Sequence, residues 1–151
     1  MSDFKMFMVG KGEDTVEEYV ATTRMGTPIL DKKGQPTGEI EPAVWKIKPV
    51  DNKLDEQIRK ECTKKIPITG KRGQYTNETD NDKYIGKLCV VCTVYPNLND
   101  AELQDYYGVK SADDLLKAML LPAEYANYKL KVMEVNGYDM SMDELVDEAK
   151  N

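Results

Sequence analysis

From Asn97 onward the chain sets out helix start signals one after another. A second half so punctuated folds as a run of short, packed helices. Asn99-x-x-Glu102 reads as a cap ahead of Leu103, Tyr106 and Tyr107. Ser111-x-x-Asp114 opens a segment bearing Leu115, Leu116, Met119 and Leu120. Pro122 suits a first helical position, where its missing N–H costs nothing. Tyr125, Tyr128, Val132 and Val135 then make an inward stripe, and Asn136-Gly137 stops it. Ser141-x-x-Glu144 is a capping box ahead of Leu145, Val146 and Ala149.

Two further helices are predicted upstream. Leu54, Ile58 and Cys62 recur every four residues, so 52–64 should be amphipathic, with Asp51 or Asn52 as its cap. Residues 67–76 read as a loop in which Gly70 and Gly73 flank Lys71-Arg72. A second helix is expected from about Asp80 to Tyr95, its face marked by Tyr84, Leu88, Val91 and Tyr95 and its end by Pro96.

Residues 1–50 read differently. Phe4, Met6, Phe7, Met8 and Val9 form an apolar head before Gly10-Lys11-Gly12. Thr15 to Arg24 is rich in Val, Tyr and Thr, a strand composition. Asp31-Lys32-Lys33-Gly34 reads as a turn, with Gly34 suited to positive φ. In Val44 to Val50, Trp45 and Ile47 alternate with Lys46 and Lys48, as in a half-buried strand. The two strands are expected to pair around the long connection between them. An isolated pair is marginal in water, so it must lean on the helices or on a partner. The expected class is α+β, with a small N-terminal antiparallel β element (1–50) followed by a mainly helical body of about five short helices (51–151).

Composition bounds the function. The 151 residues suit one domain, or one domain with an appendage, and are 40% apolar and 32% charged. No apolar run approaches the roughly 20 residues a membrane span needs. The first residues lack a signal-peptide layout, so synthesis and residence in the cytoplasm are expected. The net charge of −6 is uneven. Residues 59–72 carry Arg59, Lys60, Lys64, Lys65, Lys71 and Arg72 against Glu61, whereas 97–151 carry twelve acidic side chains against five Lys. An acidic half argues against general nucleic-acid binding. The basic stretch reads as a solvated loop or a match for an acidic partner, with RNA contact the lesser alternative.

Histidine is absent and cysteine is odd in number, with Cys62, Cys89 and Cys92. The first fact removes Ser-His-Asp, Cys-His and His-zinc chemistry. The second fits a reduced compartment without a disulfide framework. Cys89-Val90-Val91-Cys92 has CxxC spacing but lacks a second pair, and sits late in its predicted helix, away from the terminus that would lower a thiol pKa. Small buried apolar residues are the expected reading. Gly70-Lys71-Arg72-Gly73 and Gly10-Lys11-Gly12 lack the strand and the pattern of a phosphate loop. Asn77 to Asp82 lacks the Gly and terminal Glu of a calcium loop. Glu17-Glu18 and Asp113-Asp114 are adjacent, so neither pair faces a common point. No catalytic residue, metal ligand or cofactor is expected.

The stretch from Lys71 to Gly108 adds a family likeness. Together with Ile58-Arg59-Lys60-Glu61-Cys62-Thr63 before it and Ala112-Asp113-Asp114-Leu115-Leu116 after it, it resembles the XkdN-like tail assembly chaperones of contractile-tailed phages and defective prophages. The likeness spans roughly Val44 to Asn151. It departs in Gly26 to Pro42, which is longer and less regular than the pattern.

The resemblance implies a non-enzymatic assembly factor in the host bacterial cytoplasm that keeps the tail tape measure protein soluble. Other implied partners are a frameshifted longer form of the chain, the tail tube protein and further copies of itself. The end at Glu148-Ala149-Lys150-Asn151 looks like the short form. The alternative is a structural tail component retained in the virion, such as a completion or tube-associated protein. The residues expected to grip a partner are Phe4, Met6, Phe7 and Met8, with Leu145 and Val146. For the apolar head the competing reading is a first helical turn folded back onto the core.

Overall fold

The computed structural model describes residues 3–10 and 15–138. The expected break at Lys11-Gly12 and the capping box Ser141-x-x-Glu144, with Leu145 and Val146, lie outside the described residues. The fold is mixed α+β, with five α-helices and seven short strands among the described residues.

Alternation sets the central sheet. β4 (Trp45–Ile47) buries Trp45 and Ile47 and exposes Lys46. It pairs antiparallel with β1 (Glu17–Tyr19) through Glu17↔Ile47 and Tyr19↔Trp45. Its other side pairs antiparallel with β7 (Thr93–Tyr95), with a register shift between Lys46 and Ile47. The order is β1-β4-β7.

The connection between β1 and β4 is a hairpin of its own. β2 (Gly26–Leu30) pairs antiparallel with β3 (Pro36–Pro42). The Asp31 carboxylate accepts from Lys33 N–H at 2.8 Å and Gln35 N–H at 2.9 Å, and Gly34 takes φ 78°, as the turn reading required. Pro28, Pro36 and Pro42 sit in strands whose outer edges are open, where proline removes no ladder bond. At its root Ala43 N–H donates to Met25 C=O at 2.8 Å.

α1 (Asn52–Glu61) starts at Asp51, whose carboxylate accepts from Leu54 N–H at 2.8 Å. It ends at Glu61, and β5 (Thr63–Pro67) and β6 (Tyr75–Thr79) then form a second antiparallel hairpin. The helix expected over 52–64 is thus shorter, and the loop expected over 67–76 narrows to 68–74 between two strands. Thr63 and Thr79 face each other with their hydroxyls 2.9 Å apart, a cross-strand pair sixteen residues apart in sequence. Cys62 C=O accepts Asp80 N–H at 2.8 Å and closes the base.

α2 (Asn81–Cys92) is capped by Asp80, which accepts from Lys83 N–H at 3.1 Å. It stops at Cys92 because Thr93-Val94-Tyr95 pairs with β4, so Tyr84 and Leu88 face the core while Val91 and Tyr95 are exposed. Strands therefore occur well beyond residue 50, and the β element is not confined to the N-terminal part. Asn77–Thr79 belong to β6.

α3 (Ala101–Tyr107) is capped by Asp100, one residue later than expected, with Gly108 left-handed at its end. α4 (Ala112–Met119) is capped by Ser111, and α5 (Pro122–Val135) starts at Pro122, as the signals required. Asn136 closes α5 by donating to Val132 C=O at 2.8 Å, and its side-chain oxygen accepts from Val50 N–H at 3.0 Å.

The core lies where the sheet meets α1, α2, α4 and α5. Trp45 stands edge-on to Tyr128, centroids 5.3 Å apart, and Tyr128 hydroxyl is 2.5 Å from Thr93 Oγ1. Leu88, Cys89, Cys92, Leu115, Leu116 and Val132 are among the buried residues around this pair.

One clasp ties the N-terminal segment to α5. Arg24 Nη2 donates to Glu124 Oε1 at 2.6 Å and to Met119 C=O at 3.0 Å, while Glu124 accepts from Leu121 N–H at 2.7 Å. The Arg24 guanidinium, then the Thr22 hydroxyl and the Leu121 amide, lower the Glu124 pKa from 4.5 to about 2. A carboxylate depressed in the folded state contributes stability above its unfolded pKa and loses it as pH falls through the folded one. Thermal melts of the wild type should therefore fall between pH 4.5 and about 2. A Glu124→Gln variant should melt lower at pH 7 and show a shallower slope in that window; equal slopes would remove the clasp from the account.

Candidate partner-binding surface

The polar interior is structural in character. Tyr84 hydroxyl donates to Asp55, Asp55 pairs with Arg59 at 3.0 Å, and the Arg59 guanidinium lies 4.1 Å from the Tyr84 ring centroid. Burial first, then the Asp55 bond, pushes the Tyr84 pKa up, so the phenol stays protonated. Asp113 and Asp114 open α4 side by side, and Asp113 pairs with Lys117 at 3.2 Å.

Cys62, Cys89 and Cys92 are buried free thiols. Burial, then the neighbouring Cys92, raises the Cys89 thiol, the opposite of the shift a redox thiolate needs. No group of three or more metal-ligating side chains occurs among the described residues. Cys89→Ala and Cys92→Ala should each cost about 1–3 kcal/mol in denaturant melts, through the cavity each leaves. Partner binding should survive at temperatures where the variants remain folded; its selective loss would restore a chemical role for the pair.

The apolar head takes a different course from the folded-back alternative. Asp3–Phe7 form a single 3₁₀ turn, and Met8 N–H donates to Lys5 C=O at 3.1 Å. The turn does not bury its residues: Phe4 is 67% exposed, Met6 72%, Phe7 74% and Met8 71%. Val9 extends the surface. Leu145 and Val146, the other expected contacts, lie outside the described residues.

A second surface was not foreseen. Where β7 runs into α3, Tyr95, Asn97, Asp100, Glu102, Leu103 and Tyr106 line an open groove of about 490 Å³. Tyr106 is 81% exposed, stacked edge-on to Tyr107 at 5.0 Å. Leu103 and Tyr107, four residues apart, occupy the inward face of α3, and position 106 points away. The signal available was the spacing itself, since neighbours on a helix do not share a face.

The third surface is the β5–β6 hairpin. Its strands carry Lys64 and Lys65, and its tip carries Lys71 and Arg72, all exposed. Lys71 N–H donates to Ile68 C=O at 3.1 Å and Gln74 N–H to Lys71 C=O at 3.2 Å. These are two successive β-turns, with Gly70 at φ 80° and Gly73 at φ 79° in the third positions that demand them.

Comparison with known proteins gives these surfaces a setting. The sequence pattern of the phage XkdN-like tail assembly chaperone proteins matches residues 4–150. The chain belongs to that family. It is 27% identical to the phage-like element PBSX protein XkdN of Bacillus subtilis (strain 168) over 150 residues, covering 99% of this chain and 94% of that one. YqbN of the same strain is 30% identical over 150 residues, covering 99% and 93%. The crystal structure of the protein YqbN is similar in fold, with a TM-score of 0.64 at 25% identity over 92% of this chain and 99% of that chain.

Proposed function

We propose that this chain binds the tail tape measure protein in the host bacterial cytoplasm and keeps it soluble until the tail tube closes, without catalysing a reaction. The observation that carries the reading is the exposed run of Phe4, Met6, Phe7 and Met8. Two phenylalanines and two methionines in one turn make a large, adaptable apolar contact. Apolar surface left open in this way marks an interaction site. A tape measure protein is long and mostly helical, and an unassembled one exposes apolar stripes that aggregate unless covered. An amphipathic helix laid against the apolar head is the contact proposed, and the net charge of −6 keeps the complex dispersed. Many weak contacts along one long chain supply avidity. A frameshifted longer form and the tail tube protein are further partners in this scheme.

Co-expression with the tape measure protein encoded nearby, followed by size-exclusion chromatography with light scattering, tests it. Solubilised tape measure protein eluting with many copies of this chain is the expected result. An insoluble tape measure protein and a chain eluting alone would overturn the reading for the short form. Recovery of the chain in purified mature particles would favour a structural tail component instead.

A further inference from the structure

The β5–β6 arm is positive: Lys64, Lys65, Lys71 and Arg72 stand against Glu78 alone, a net +3. The helix that borders the aromatic groove is negative: Asp100, Glu102 and Asp105 have no basic residue among them on α3. The four basic side chains of the arm take part in no ion pair among the described residues. Lys71, Arg72 and Tyr106 are all exposed, so the tip of this chain does not occupy its own groove. We propose that the Lys71–Arg72 tip of one copy seats in the Tyr95–Tyr106 groove of a second copy of this chain.

Charge decides the occupant. At −6 overall, two copies repel unless opposite patches meet, and the basic arm against α3 is the pairing the chain itself supplies. Chemistry fits the seat. Tyr95 and Tyr106 offer exposed ring faces to a guanidinium or ammonium, while Asp100 and Glu102 on the rim supply carboxylates for the same cations. Geometry fits the reach. Five-residue strands carry the tip about 17 Å from the base of the arm, and its paired turns hold Lys71 and Arg72 in one presentation. Tip and groove are different patches, so the contact is heterologous: copies either add in series or close into a ring. The inference stands apart from the identity of the chaperone's client.

Sedimentation velocity over a concentration series tests it, at low salt and at about 1 M salt, where charges are screened beyond roughly 3 Å. The wild type should associate at low salt and dissociate at high salt. Lys71→Glu with Arg72→Glu, and separately Glu102→Lys with Asp105→Lys, should each weaken association about ten-fold or more. All four together should restore it. A wild type that stays monomeric throughout would overturn the proposal. So would variants that associate as well as the wild type, or a combined variant that stays monomeric. Circular dichroism melts confirm folding, and Lys71→Ala with Arg72→Ala provides a milder disruption of the tip. Titration with a fluorescent single-stranded RNA supplies the remaining arm. Binding that is lost in the Lys71→Glu, Arg72→Glu variant of a monomeric protein would assign the tip to nucleic acid instead.

Discussion

Trp45→Ala should lower the melting temperature by roughly 6–20 °C, the largest effect expected of any single substitution in the described core. Trp45 is fully buried at the centre of the three-stranded sheet and packs edge-on against Tyr128. Truncating a buried tryptophan removes its transfer free energy and leaves a cavity, at a cost of about 3–5 kcal/mol. A chain of this size loses roughly 2–4 °C per kcal/mol. The damage should spread through Tyr128, whose hydroxyl holds Thr93 at the start of β7. Trp45→Phe should recover more than half of the loss, because the ring contact is kept and only part of the volume goes. Calorimetry on both variants checks this. A Trp45→Ala protein melting within a few degrees of the wild type would mean the sheet is not packed on α5 as described.

The second large effect concerns binding. Replacing Phe4, Met6, Phe7 and Met8 together by Ser should abolish recovery of soluble tape measure protein, while melting stays within about 2 °C of the wild type. Exposed side chains away from caps and cavities contribute little to folding, usually within about 0.5 kcal/mol each. The same side chains at a contact carry most of the buried apolar area, and binding energy concentrates in such anchors. The two readouts therefore separate: solubilisation should fail and stability should hold. Unchanged solubilisation would move the client contact away from the apolar head. A large drop in melting temperature would show that the head packs on the body.

Much of the architecture is legible in the chain, for local reasons. Trp45-Lys46-Ile47 announces a half-buried strand because its period of two is incompatible with one helix face. Asp51, Ser111, Pro122 and Asn136-Gly137 mark helix ends because capping and stopping need only neighbours a few residues away. What escapes is settled at a distance. Thr63-Lys64-Lys65-Ile66 continues α1 plausibly until Thr79 arrives opposite Thr63. Thr93-Val94-Tyr95 continues α2 until β4 offers a ladder. Asn99 and Asp100 are both good caps, and only the geometry chooses the second.

The binding surfaces divide the same way. Phe4, Met6, Phe7 and Met8 are conspicuous in sequence because Lys5 alone interrupts an otherwise apolar run from Phe4 to Val9. The groove is not, since Tyr95 reaches it only after α2 gives way to a strand and Tyr106 only once Leu103 and Tyr107 take the inward face of α3.

Both two-stranded hairpins are closed at their roots before the chain enters the body, one by Met25 with Ala43 and the other by Cys62 with Asp80. Each is thus an appendage whose size the interior does not register. Residues added or removed near Gly34 or Gly70 change the span of an arm and leave every layer beneath it as it was, since each doubling of a flexible loop costs only about 0.6 kcal/mol. Gly26 is the limit of that freedom. A Cβ there would lie 1.9 Å from Glu41 C=O, so the root of the first arm tolerates no side chain. The Gly26–Pro42 segment is then a place where the outline of the molecule can change while its packed interior stays as it is.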